Sequence, residues 1–406
     1  MKFFLQQAEF FFLSLLILVL PSFEAPKNFF LVFFVGVSFI RQLIDADHHT
    51  FTIWDWIFLS IVLTAFLTTL FPGMHSNEWK GFTILLTSIS VGWLVSRSQF
   101  QTKSLRWFFA LIILATIPPL IVGLAKYLYL HSNPDLQLHS VGHVNHSAIY
   151  LTMVLGASVG ALIAIWEKIT LLQRILMGLL NILFFVSLFI SQSRAAVGIG
   201  ALLSVLLFLI LARDNKIKLA GILSVSILMM MAIFLNIGVV QKELRNEQKN
   251  DILGARDKVW NISFEALRWA PIFGIGINNW GKIKPEQIKH SVEARGKIYN
   301  EKNYLFQGHS HSIYLMALVE RGIIGFSALI FLMLGWIYYL IAKFKNISKD
   351  SQGRYLWAGS FSAWLATFGI GFVNTTFHHE HGILACILLG LFVSYMTFNK
   401  KTIPGK

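Results

Sequence analysis

His311 is followed by Ser312 and, after nine further residues, by Gly322-Ile323-Ile324-Gly325, where a long polar stretch gives way to a strongly apolar run. An ionisable side chain at the edge of an apolar run is costly to keep there and tends to have a task. Imidazole titrates near neutral pH, which suits His311 to general-base chemistry; a purely structural interfacial histidine is the other reading. Gly322 and Gly325 are expected to let the following helix pack closely against another. Two arginines could complement the base. Arg194, in Ser191-Gln192-Ser193-Arg194 between two apolar runs, offers a planar fork of donors that holds phosphate and keeps its charge; snorkelling to the interface is the alternative. Arg256, in Arg256-Asp257-Lys258-Val259-Trp260, is either a second phosphate clamp or one member of a solvated Arg–Asp pair.

Other histidines gather in short motifs. His143 and His146 flank Asn145 in Gly142-His143-Val144-Asn145-His146, where they line a polar cavity or cap a helix. His309 lies two residues before His311, a spacing that can bind metal, but no nearby carboxylate or cysteine completes a site. His378-His379-Glu380-His381 resembles a metal cluster, yet a supporting role for His379 and its neighbours at a membrane edge is the stronger expectation. Asp45-x-Asp47 is a two-residue pattern far from the rest and is set aside. We expect neither a metal site nor a cofactor.

Composition names the solvent. Of 406 residues, 55% are hydrophobic and 13% charged, with mean hydropathy +0.64. A water-soluble chain cannot hide that much apolar surface. Continuous apolar runs of about 20 residues recur, predicting a polytopic all-α membrane protein rather than a β-barrel. The first run lacks a small-residue cleavage site and reads as a retained helix. A single cysteine, Cys386, excludes an intrachain disulfide. The net charge of +14 fits lysines and arginines facing anionic lipid, and nucleic acid is not expected as a partner.

Twelve spans are expected, near 5–20, 28–44, 54–71, 81–96, 106–127, 147–166, 172–190, 195–211, 219–238, 312–342, 355–373 and 382–398. The tenth is long enough to contain a turn outside the bilayer or a strong tilt. Loops at 97–106, 167–174, 212–218 and 343–354 are basic, whereas those at 131–146 and 374–381 hold no lysine or arginine. That alternation places both termini in the cytoplasm and puts Arg194, Arg256 and the histidine motifs on the outer face. The chain thus divides into helices one to nine (1–238), a large outer loop (239–310) and helices ten to twelve (311–406). Within the loop, Asp251–Trp269 has helical spacing and is expected to lie on the membrane as an amphipathic helix ended by Pro271. Gly274-Ile275-Gly276 forms a turn without the strand a dinucleotide site needs. Lys282–Lys302 is polar, basic and expected to be mobile.

With these residues placed, most of the chain resembles the O-antigen ligase and polymerase superfamily. The likeness rests on the span count, the large loop between spans nine and ten, the His311-Ser312-x9-Gly322-x-x-Gly325 motif, Gly142-His143-x-Asn145-His146, Ser193-Arg194 and Arg256-x-x-x-Trp260. The resemblance implies a GT-C-like, metal-independent, inverting glycosyltransferase of the bacterial inner membrane, its active site facing the periplasm. The implied donor is an undecaprenyl-diphosphate-linked glycan and the implied acceptor a hydroxyl of lipid A-core. By that resemblance His311 is the base, and Arg194 and Arg256 hold the diphosphate. His143, Asn145, His146, His309 and His379 are candidates for the cavity wall or its support. An O-antigen polymerase or a protein O-oligosaccharyltransferase of the same superfamily is the alternative. A transporter is the reading from a different class, and it calls for ionisable residues near the midplane of the spans.

Overall fold

The computed structural model describes residues 1–44, 51–71, 77–130, 135–138, 141–247, 255–347 and 350–398. Asp45 and Asp47 lie outside them. Among the described residues, twelve helices of at least 18 residues coincide with the twelve apolar segments: α1 (Lys2–Val19), α2 (Glu24–Ile44), α3 (Ile53–Leu70), α4 (Glu78–Arg97), α5 (Thr102–Leu128), α6 (Val144–Ile165), α7 (Leu171–Ile190), α8 (Arg194–Leu211), α9 (Asn215–Phe234), α13 (Ile313–Ile347), α14 (Ser351–Gly369) and α15 (His379–Phe398). Three shorter helices, α10 (Val239–Glu247), α11 (Arg256–Leu267) and α12 (Pro285–Glu293), are described between α9 and α13.

Ten of the twelve are long and apolar enough to cross a membrane; α4 and α14 fall short of that measure. The reason is plain in α14, where Gln352, Arg354, Ser360 and Ser362 lower the hydropathy. Every side chain from Gln352 to Ala363 is buried. A helix enclosed by other helices needs no lipid-facing apolar stripe, and its polar groups find partners in protein. Its neighbour α6 is equally central, buried from Ser147 through Ala164. The two approach closely because Gly156 and Gly160 lie one turn apart. A Cβ added there would fall 2.2 Å from Ser362 Oγ and 2.1 Å from the Ala358 Cβ. Small residues at that spacing let backbones meet where lipid supplies no hydrophobic drive.

Cross-links between helix ends sort the loops onto two faces. Arg41 pairs with Glu9 at 2.7 Å, and the Glu9 carboxylate accepts from Ser98 Oγ at 2.5 Å. Arg97 pairs with Asp55 at 2.7 Å, Lys168 Nζ donates to Ser351 Oγ at 2.8 Å, and Arg354 donates to the Leu211 carbonyl. These links join ends that the charge pattern assigns to one side. Lys27 with Glu380, and Asn279 Nδ2 donating to Glu78 Oε1 at 2.7 Å, join ends assigned to the other. Beyond Arg41 and Lys126, which sit near helix ends, further charge lies inside the long helices. Glu9, Asp55, Glu320 and Arg321 also lie within long helices, and Glu9, Asp55 and Glu320 are buried. A buried charge is tolerable when paired or hydrogen-bonded, and such pairing joins segments far apart in sequence.

The loop between α9 and α13 has its own core. Val259, Ile262 and Ala266 of α11 pack with Ile275, Trp280, Ile283, Ile288, Val292 and Val319. The apolar stripe of α11 therefore faces protein; it is not spread on a lipid surface. Lys282–Lys302 is also built differently from the mobile stretch expected. It contains α12, and its Arg295 pairs with Glu265 of α11.

α13 is broken at Gly322 (φ 61°, ψ −165°). The break releases backbone groups that a continuous helix would pair, and the loop takes them up. Ile275 N donates to Val319 O at 2.9 Å, Gly276 N to Glu320 O at 3.1 Å, and Ile323 N to Pro271 O at 2.9 Å. The Glu320 carboxylate accepts from Trp280 N at 3.0 Å and from the amides of Asn278 and Asn279. Irregular backbone at membrane depth survives only where protein satisfies it in this way. The glycine turn at 274–276, with φ of 74° at Gly274 and 100° at Gly276, is the docking strip of the loop.

Candidate functional site

Ser312 starts α13. Its hydroxyl accepts from Leu315 N at 3.4 Å, and its carbonyl from Met316 N at 2.9 Å. Serine and asparagine are both strong caps, so the residue type at this position is accounted for by helix initiation. His311, one residue earlier, has φ 52°. A non-glycine residue with positive φ is uncommon, and here it follows from the neighbours on both sides. Ile313 N is tied to the Asn374 carbonyl at 3.1 Å, and His311 N donates to His309 Nδ1 at 3.4 Å. The imidazole is thereby aimed rather than left free.

His311 Nε2 meets Gln307 Oε1. In the tautomer with its proton on Nε2, the Gln307 amide oxygen accepts and Nδ1 keeps a lone pair. Nδ1 is buried and makes no hydrogen bond of normal geometry. Burial, then the adjacent His309 and Arg256, hold the His311 pKa down to about 4, partly offset by the Asn374 side chain. The ring is neutral near pH 7 and able to take a proton.

Arg256 is the first residue of α11, and its Nε donates to the Val373 carbonyl at 3.1 Å. This bond fixes the head of α11 beside the end of α14, within electrostatic reach of His311. Arg194 opens α8. It pairs with Glu243 of α10 at 2.9 Å, both side chains being about one-third exposed. Next to it Lys242 Nζ lies 3.5 Å from the Gln192 carbonyl. The charge of Lys242 is felt at His143, so the Arg194 cluster adjoins the histidines.

His143 is the N-cap of α6, with Nδ1 accepting from Asn145 N at 3.2 Å. Burial lowers its pKa, Asp135 opposing and Lys242 adding to the shift. His146 brings the motifs together. Its ring centroid lies 5.4 Å from His143, 4.8 Å from His378, 5.2 Å from His379 and 5.1 Å from His381. His309 stacks edge-on against His311 at 4.1 Å, and its pKa is lowered by burial and then by His143 and His379. Burial, with His379, His146 and His309, pushes His378 well down too. Seven histidines from three stretches of sequence thus gather in one patch. Among the described residues no three His, Cys, Asp or Glu side chains stand in an arrangement that could hold a metal ion.

A cleft of about 290 Å³ opens beside the patch, between α4 and the first turns of α13. Its lining carries His309, His378 and His379, a largely apolar wall of Ile84, Leu85, Ile313 and Met316, and the polar Ser88, Glu320 and Arg321. The helices α6, α8, α13 and α15 all begin on this face, as does α11 in the loop, so their positive dipole ends favour an anion there. The arrangement supplies an imidazole held in one orientation, two guanidinium groups and a largely apolar groove. Sequence reading found His311 and both arginines separately. It missed Gln307 and Asn374, which carry no motif and meet His311 only through the fold. It also missed Glu243 as the partner of Arg194.

Fold and site describe a polytopic helical membrane protein whose polar machinery gathers at one surface. Residues 179–330, from α7 through the loop into α13, match the family model described as O-Antigen ligase; this supports placing the chain in the O-antigen ligase superfamily. A stretch of 109 residues is 32% identical to an uncharacterized protein of Haemophilus influenzae (strain ATCC 51907 / DSM 11121 / KW20 / Rd), covering 27% of this chain and 26% of that protein. The chain thus aligns with about a quarter of the length of that relative.

Proposed function

We propose that this protein is an O-antigen ligase of the bacterial inner membrane, its histidine face turned to the periplasm and both termini to the cytoplasm. It takes a glycan from undecaprenyl diphosphate and joins it to a hydroxyl of lipid A-core. The observation that carries the proposal is the His311 imidazole: neutral, held at a left-handed backbone position, with a buried Nδ1 lacking a hydrogen bond, beside Arg256. In this reading Nδ1 removes the acceptor hydroxyl proton as the oxygen attacks the anomeric carbon. The bond from that carbon to the diphosphate oxygen breaks, the electron pair leaves with the diphosphate, and the anomeric centre inverts. Arg256 and Arg194 stabilise the departing charge. Arg194 would exchange Glu243 for the diphosphate, a swap helped by the solvent access of both side chains. His143, Asn145, His146, His309 and His379 line the approach, and the apolar cleft beside them suits the first isoprene units of the carrier. No metal or cofactor is called for by this scheme.

A polymerase or a protein O-oligosaccharyltransferase of the same superfamily would use the same donor and differ in acceptor. A lipopolysaccharide ladder from a strain lacking the gene separates them. Bare lipid A-core, restored to a full ladder by the wild-type gene and not by His311→Ala, is the expected result. Core bearing a single repeat would assign polymerisation instead, and an unchanged ladder would reject both. Solute uptake into vesicles that survives His311→Ala would favour a transporter.

A further inference from the structure

The face opposite His311 holds a second cavity that this chemistry does not use. It measures about 490 Å³, within the range of about 300–1,000 Å³ typical of ligand sites. It lies between α5, α6, α7 and α14, walled by Phe109, Ile113, Ala161 and Leu180. Its mouth carries Arg106 and Lys168, both exposed. Lys168 is held there by its bond to Ser351 Oγ at 2.8 Å, and the charge of Arg106 bears on Tyr355 at the rim. Beside it a smaller cavity, lined by Arg213 and Arg354 and by Glu167 and Asp214, shares Lys168 and Ser351. Deeper in, Ser158 is fully buried and its Oγ has no hydrogen-bond partner. Ser158 lies seven residues from the end of α6, about 10 Å below the mouth at about 1.5 Å per residue.

An apolar slot with a cationic rim, opening where helices meet lipid, fits an amphiphile whose anionic head stays at the surface while a chain enters the slot. The unpaired Ser158 hydroxyl in the lining is a donor for a polar group of such an amphiphile. We propose that this cavity is a specific site for an anionic glycerophospholipid, with Arg106 and Lys168 on the phosphate, an acyl chain along α5 and α7, and Ser158 donating to an ester carbonyl. The lipid wedges α7 against α5 and α14 from the side remote from the glycosyl-transfer site. The proposal does not depend on the reaction catalysed opposite.

The test uses the purified full-length protein in neutral detergent. Thermal unfolding is followed with added phosphatidylglycerol, phosphatidylcholine or inorganic phosphate. Phosphatidylglycerol should raise the midpoint at concentrations at least tenfold below those at which phosphatidylcholine acts, and phosphate alone should do nothing. Arg106→Gln/Lys168→Gln should abolish that preference, and Arg106→Lys should keep most of it. Ala110→Trp, which fills the slot from its edge, should abolish the effect with the charges intact. Equal stabilisation by both lipids, stabilisation by phosphate alone, or a preference that persists in both Arg106→Gln/Lys168→Gln and Ala110→Trp would overturn the proposal. Should a variant melt too low to titrate, the lipid it retains through native mass spectrometry reads out the same preference.

Discussion

Replacing Gly322 with alanine tests how the outer loop is held. At φ 61°, ψ −165° the backbone occupies a region open essentially to glycine, and an L-residue there costs about 1–3 kcal/mol. A Cβ would also fall 2.1 Å from the Ile272 carbonyl oxygen and 2.7 Å from Gly274 N. Both are backbone atoms that cannot rotate aside, so relief requires the docking strip to move. Moving it breaks the three bonds from Ile275, Gly276 and Ile323, each contributing about 0.5–1.5 kcal/mol net. Strain and lost bonds together come to roughly 2.5–7.5 kcal/mol. The loop should therefore detach, carrying Arg256 and Gln307 away from His311. Gly178→Ala is the matched control, because a Cβ there meets nothing within 4 Å. Limited trypsin digestion, reading cleavage within Lys282–Lys302, should show Gly322→Ala cut at least tenfold faster than wild type and Gly178→Ala near wild type. Glycan transfer should fall about a hundredfold or more in Gly322→Ala alone, since misplacement by about 1 Å can cost that much. Wild-type proteolysis and activity in Gly322→Ala would refute the reasoning.

Four further outcomes are expected. His311→Ala should lower transfer by about 10²–10⁴-fold, the range general-base catalysis supplies, while leaving retention of the lipid-diphosphate donor intact. With its pKa held near 4 against an ordinary 6.5, His311 stays neutral, and the rate should show no acid break near pH 6.5. The unfolded chain binds more protons across that window, so stability should rise with pH between about 4 and 6.5 and be lost as pH falls; Arg256→Gln removes a neighbouring charge and should move the acid limb upward. Arg194→Lys keeps charge and loses the fork, so a large loss of donor affinity is expected, whereas Glu243→Gln should cost under about 1 kcal/mol of stability; normal activity of a well-expressed Arg194→Lys would reduce Arg194 to a snorkelling side chain. Lys27→Met should strand the Glu380 carboxylate and destabilise by about 3–5 kcal/mol, much of which Lys27→Met/Glu380→Met should restore, as read by melting in detergent.

The helices were legible because a bilayer imposes a length and a polarity on each run, and local composition reports both. α14 was legible as a helix, but its enclosure among other helices was not, since such burial leaves no local trace. The kink at Gly322 was invisible for a similar reason. A glycine in an apolar run looks like a packing residue, and only the approach of Ile272 and Gly274 reveals the backbone it must adopt. His311, Arg194 and Arg256 stood out because charge beside apolar sequence is conspicuous. Their partners did not: Gln307, Asn374 and Glu243 are ordinary polar residues, and nothing local marks which of many will meet a histidine or an arginine. The joining of His143 and His146 with His378, His379 and His381 was hidden because α6 and α15 are more than 200 residues apart in sequence.

The backbone exchange between α13 and the loop bears on how this protein could be re-targeted. A loop with its own core invites transplantation between relatives, with cut points at the obvious polarity boundaries. Here such a cut after residue 310 would leave Val319, Glu320 and Ile323 facing a foreign strip, with no guarantee that its register or its glycines match. The smallest transferable cassette runs from the start of α10 through Gly325, carrying the broken helical stub with the loop it grips. Chimeras joined outside those limits keep the seam intact, and those joined inside it divide one hydrogen-bonded unit between two parents.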